Sequence, residues 1–202
     1  MNTQWRPFVT APRFMPLVGM AIGAVGGGVY WLGAQLWPTS IAVVLSMLAT
    51  ALLSARVDAR VSSVGVMGFV FALLIKYNAL MALSAANLPF AVPANLALGL
   101  IMIAGHAASR ALVVALASSN RPPPKPTSHG ELGVALAIGF APAALIGIPG
   151  LIGLVAAIVA RIAYVAYLRR IRGDFAAADL DMTQQLTEVC FYLGALATWA
   201  YV

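Results

Sequence analysis

Long apolar runs, each near the thickness of a bilayer, alternate with short polar breaks along this chain. The first run opens at Phe14 and closes at Trp37-Pro38-Thr39-Ser40, where a proline and two hydroxyl side chains end a helix. A helix crosses hydrocarbon with about 20 largely apolar residues, over a range of roughly 17 to 25. Runs of that kind fall at 14–37, 40–55, 64–85, 94–118, 132–148, 150–168 and 184–202. The proline-rich segment SSNRPPPKPTSHGE separates the fourth from the fifth, and Gly147-Ile148-Pro149-Gly150 separates the fifth from the sixth. The pattern predicts an all-α fold: a polytopic helical membrane protein of about seven transmembrane helices, forming one integral domain over residues 1–202. The count falls to six if 40–55 only dips into the bilayer.

Composition agrees with that reading. Of the 202 residues, 62% are hydrophobic and 9% charged, whereas a soluble domain carries roughly 25% charged residues. The net charge of +6 does not indicate nucleic acid, because the basic residues are dispersed and no aromatic side chains interleave with them. Their placement points instead to a lipid bilayer with an anionic face. Arg6, Arg13, Arg56, Arg60, Arg121, Lys125, Arg169, Arg170 and Arg172 all lie on the N-terminal side of the predicted spans. The alternate breaks near Trp37, Asn87 and Pro149 carry no charge. The positive-inside rule therefore puts the N-terminus in the cytoplasm and the C-terminus outside. The first apolar run is too long for a signal-peptide core and reads as a retained span. Cys190 is the lone cysteine, which leaves no intrachain disulfide and no cysteine-based metal site.

Five ionisable residues fall within the apolar runs. Lys76 and Arg110 lie deep and are expected to bind an anion or to pair internally. His106 shares a helix face with Arg110 and reads as a packed histidine, since one histidine makes no metal site. Arg161 and Glu188, nearer the ends of their runs, are expected to snorkel to the interface. Gly19, Gly23 and Gly27 form a GxxxG ladder that lets another helix approach closely.

Several segments resemble one family. RFMPLVGMAIGAVGGGVYWLGAQLWPTS resembles the opening of the cobalamin synthases (adenosylcobinamide-GDP ribazoletransferases). VDARVSSVGVMGFVFALLIKYNAL is similar to that family's Asp-x-Arg segment and the lysine-bearing span after it, with Ser62 in place of a glycine. HAASRALVV resembles its arginine-bearing span and TQQLTEVCFYLGALA its closing helix. The resemblance implies a bacterial inner-membrane transferase of late cobalamin biosynthesis. It would join adenosylcobinamide-GDP to α-ribazole or its 5′-phosphate, release GMP and need Mg²⁺. It implies substrate-binding roles for Arg60, Lys76, Arg110, Gln184 and Gln185, and metal-binding roles for Asp58, Asp174, Asp179 and Asp181; no residue is assigned a catalytic role.

One difference stands out. TALLSARVDAR runs straight from the second span into the Asp-x-Arg segment, where the family carries an aspartate-rich Asp-Gly-Leu-Ala-Asp-x-x-Asp-Gly loop. A magnesium ion on phosphates wants one or two carboxylates plus waters. The alternative is therefore a catalytically impaired member that binds corrinoid or assists a complete synthase, in a complex with other late cobalamin-assembly enzymes. Asp174, Asp179 and Asp181 read otherwise as solvated loop charges balancing Arg169, Arg170 and Arg172. A transporter, hinted at by Pro142 and Pro149, lacks a visible inverted repeat. The predicted orientation has a direct check. Alkaline phosphatase fused after Val202 is expected to be active, and green fluorescent protein fused at the same point dark; the reverse pattern refutes the orientation.

Overall fold

The computed structural model describes residues 12–57, 66–85, 94–119, 128–171 and 177–199. They form seven α-helices and no strand: α1 Met15–Leu36, α2 Thr39–Val57, α3 Val66–Ala85, α4 Ala94–Ala117, α5 His129–Leu145, α6 Ile148–Ile171 and α7 Ala177–Trp199. A 3₁₀ turn, Pro12–Phe14, leads into α1.

Local chemistry sets several of these limits. Pro16 sits in the first turn of α1, where its missing N–H costs nothing. At the other end Trp37 turns extended ahead of Pro38, as a residue before proline should. Helix α5 starts at His129, three residues before the apolar run, because Ser128 builds a capping box. Its Oγ accepts from Glu131 N at 3.1 Å, and its own N–H donates to Glu131 Oε2 at 3.3 Å. Gly147 takes φ 81° between α5 and α6, a left-handed conformation that glycine adopts without strain.

Helix α4 is the centre of the bundle, contacted by α1, α3, α5, α6 and α7. Its side chains from Ala104 through Val114 are buried on every side. The glycine ladder of α1 is what lets it in. A Cβ on Gly23 would lie 2.6 Å from Ile103 Cα, one on Gly27 2.7 Å from Gly99 Cα, and one on Gly19 against the carbonyl of His106. The partners descend along α4 as the ladder ascends α1, so the two helices pack antiparallel, backbone against backbone. A second close pair joins α6 to α7, where a Cβ on Gly153 would meet Phe191 O at 2.7 Å. The apolar side chains Leu151, Val155, Val159 and Ile162 of α6 are exposed, the outward face that a membrane covers.

The chain is thus a helical membrane protein. Three stretches, Pro12–Leu36, Leu96–Ala117 and Ile148–Ile171, are long and apolar enough to cross a bilayer, and shorter apolar stretches lie at Thr39–Ser54, Val70–Ala85 and His129–Leu145. The second run, expected as a span with a re-entrant dip as the alternative, is one helix, α2, of 19 residues, about 28 Å long. One boundary changes. The last helix begins at Ala177, seven residues ahead of the apolar run, because its polar first turns are buried against the bundle.

The ladder gives a paired test. Gly23→Leu would overpack the α1–α4 contact by about 1–3 kcal/mol and lower the melting temperature in detergent. Gly28, with nothing within 4 Å of an added Cβ, should tolerate leucine unchanged. Equal melting of the two variants would refute the close contact.

Candidate functional site

A buried polar seam runs through the interior of the bundle, where an apolar core would be cheapest. Helix α7 contributes Asp179, Thr183, Gln184, Thr187 and Glu188; α4 contributes His106, Ser109 and Arg110; α3 contributes Lys76; and α2 contributes Ser46 and Thr50. Glu188 is its hub. Its Oε1 lies 2.6 Å from Lys76 Nζ and 3.2 Å from His106 Nε2, and accepts a 2.9 Å hydrogen bond from Tyr192 OH. Lys76 Nζ also stands 5.9 Å above the ring of Tyr192, within reach of a cation–π contact. Gly105 makes room for that ring: a Cβ there would meet Tyr192 Cε1 at 2.6 Å.

Glu188 is 0% exposed, which corrects the expectation that it snorkels. Because α7 starts at Ala177, Glu188 lies about 16 Å along the helix, too deep for its short side chain to reach headgroups. Lys76 takes the internal-pair alternative. His106 is more than packing, since it faces the same carboxylate oxygen. Arg161 is half-buried and turned inward, its Nε donating to Leu112 O at 3.2 Å and its Nη2 to Ser119 Oγ at 3.4 Å. It is tied to the end of α4 rather than free in the interface, which corrects the snorkelling expectation for this residue as well.

The other anticipated site residues fall as follows. Arg110, 1% exposed, donates from Nη2 to Ser54 Oγ at 3.5 Å. Gln184 is buried one turn before Glu188 on the same face of α7, and Gln185 is half-buried beside it. Asp179 is buried, accepting from Tyr164 OH at 3.3 Å, so it is not a solvated loop charge. Asp181 lies two residues further along α7, and residues two apart on a helix do not share a face. Asp58, Arg60 and Asp174 lie outside the described residues.

Magnesium does not fit the described donors. Among the described residues no three His, Cys, Asp or Glu side chains come together as a metal site. Glu188 already faces two basic side chains, and Asp179 and Asp181 point to different sides.

The hydroxyls of the seam are new. Thr183 Oγ1 donates to Asp179 O at 2.6 Å and Thr187 Oγ1 to Thr183 O at 2.7 Å, while Ser46 and Thr50 bond their own helix in the same way. Such back-bonding satisfies a buried hydroxyl without a neighbour. The signal was in the sequence: polar residues four apart at Ser46, Thr50 and Ser54, and again at Asp179, Thr183 and Thr187.

The profile of the cobalamin-5-phosphate synthase family matches residues 53–196, the stretch that carries most of this seam. The chain belongs to that family. Curated relatives named adenosylcobinamide-GDP ribazoletransferase agree. One from Leptothrix cholodnii is 32% identical, covering 92% of this chain and 84% of the relative. One from Shewanella frigidimarina is 26% identical over 93% and 84%. One from Ralstonia nicotianae is 33% identical over 52% of this chain, which there spans only 48% of the relative's length. No solved structure matches the chain. The Leptothrix alignment runs over 228 positions while using 92% of a 202-residue chain, so about 40 positions are filled by the relative alone. This chain is a shortened cobalamin synthase family member.

The hub can be tested by substitution. Lys76→Met leaves a buried carboxylate without its ammonium partner and should destabilise the protein by about 3–5 kcal/mol. Adding Glu188→Leu to it should restore much of that loss, with a coupling of about 0.5–3 kcal/mol in a thermal double-mutant cycle. Additive losses would mean that the two residues do not act as a pair.

Proposed function

We propose that this chain is an adenosylcobinamide-GDP ribazoletransferase acting late in cobalamin biosynthesis, in the bacterial inner membrane with its N-terminus in the cytoplasm. The observation that carries the reading is the 32% identity to a relative of that name across 92% of the chain. In the proposed reaction the ribose hydroxyl of α-ribazole, or of its 5′-phosphate, attacks the cobinamide-linked phosphorus of adenosylcobinamide-GDP. The bond from that phosphorus to the bridging oxygen breaks, GMP leaves with that oxygen, and the hydroxyl proton is released.

The basic seam residues have the right chemistry to hold such a diphosphate. A guanidinium such as that of Arg110, or of Arg60 outside the described residues, grips phosphate oxygens in two parallel bonds, and an ammonium acts as a point charge. Lys76 is already neutralised by Glu188, so its part is to hold α3 against α7; Arg110 keeps the anion-binding role that the family resemblance assigns it. Gln184 supplies amide donors on the neighbouring face. Magnesium, when bound, would neutralise charge on the diphosphate. Asp58 and Asp174 are the carboxylates outside the described residues that the family resemblance assigns to it.

A second reading is favoured by one specific observation, the roughly 40 alignment positions that the relative alone fills. Under it the chain binds corrinoid or supports a complete synthase, in company with other enzymes of late cobalamin assembly. The experiment that separates the two uses membranes of a host without its own cobalamin synthase, supplied with adenosylcobinamide-GDP, α-ribazole and Mg²⁺. Cobalamin and GMP are expected in equal amounts, falling about 10²-fold in Asp58→Ala and on chelation of the metal. No product from folded, inserted protein would overturn the transferase reading and leave the binding role.

A further inference from the structure

One polar side chain faces the wrong way for a helix in lipid. Helix α3 is 20 residues long, about 30 Å, which matches the hydrocarbon thickness. Asn78 is its thirteenth residue and so lies about 4 Å from the midpoint of the helix. Unlike Lys76, two residues earlier, it is exposed. Its stripe also carries Phe71, Leu74, Ile75 and Ala82, all exposed as well. The carboxamide donates one hydrogen bond, from Nδ2 to Leu74 O at 2.8 Å. Among the described residues nothing further is bonded to it, which leaves its second N–H and its carbonyl oxygen directed outward. In hydrocarbon no water can take those groups, and each unsatisfied one costs several kcal/mol.

We propose that this face of α3 is the contact between two copies of the chain, with Asn78 of each donating to and accepting from Asn78 of the other. A carboxamide carries donor and acceptor together, so it is its own complement about a twofold axis, the symmetry of most dimers. The membrane adds the second argument. Two copies inserted with the same orientation bring Asn78 to the same depth on a twofold axis along the membrane normal. Asparagine bonds of this kind are a recognised source of helix association in bilayers. Ala82, one turn further along the stripe, lets the helices approach.

The test uses the full chain in lipid vesicles. Subunit number is read by single-molecule photobleaching, and proximity by oxidative cross-linking in a C190A background. The dimer is expected for the wild type, and N78L should lower the dimer fraction at least tenfold at equal density. N78C and A82C should cross-link into dimers, while V159C, on the exposed face of α6, should not. The cross-linking holds even if N78L lowers expression. A monomer at every density, a dimer indifferent to N78L, or cross-linking of V159C in place of N78C overturns the proposal. Cross-links from N78C only to another protein would do the same, and would assign the face to a different partner.

Discussion

A single carboxylate oxygen with three hydrogen-bond or ionic partners holds this bundle in register. Glu188 Oε1 draws Lys76 from α3, His106 from α4 and Tyr192 from its own helix to one point. In a medium that offers no water, none of these groups can be left alone, and a charge at the bilayer centre costs about 3 kcal/mol even on the gentlest scales. The position of α7 against α3 and α4 is therefore set by chemistry rather than by shape alone. The hydroxyls of the seam bond to their own helices and ask for nothing more, so they line it without competing for the carboxylate.

The second constraint is closeness. Polar groups can meet across helices only if the backbones are near enough, and glycine supplies that nearness at three seams: Gly19, Gly23 and Gly27 against α4, Gly105 against the Tyr192 ring, and Gly153 with Gly194 between α6 and α7. Between lipid-bathed helices there is no hydrophobic drive to associate, so packing and internal hydrogen bonds hold them together. The two devices meet at α4, which carries both the glycine contacts and two of the basic residues.

Much of the helical plan was legible because apolar runs and proline breaks report directly on what a bilayer accepts. The GxxxG ladder was read correctly, and the family was legible in motifs such as HAASRALVV and TQQLTEVC. What escaped were facts that depend on which way a residue faces. Glu188 looked close enough to an end to reach water, since the apolar run begins at residue 184. The helix begins earlier, because Asp179 and Thr183 turn inward. Hydropathy averages over a helix and cannot see such a face, whereas the spacing of four from Asp179 to Thr183 to Thr187 can. Arg161 likewise found a carbonyl and a hydroxyl near the end of α4, partners that no linear pattern names.

The order of the hub along the chain matters as the protein is made. Lys76 and His106 are synthesised some eighty or more residues before Glu188, which arrives only with α7. Until that helix enters, the ribosome has delivered the basic side chains to the membrane and not the acid that balances them. Helix α7 is thus the step that closes the hub, and a chain stopped before it would present unbalanced charge to the cell's membrane quality control.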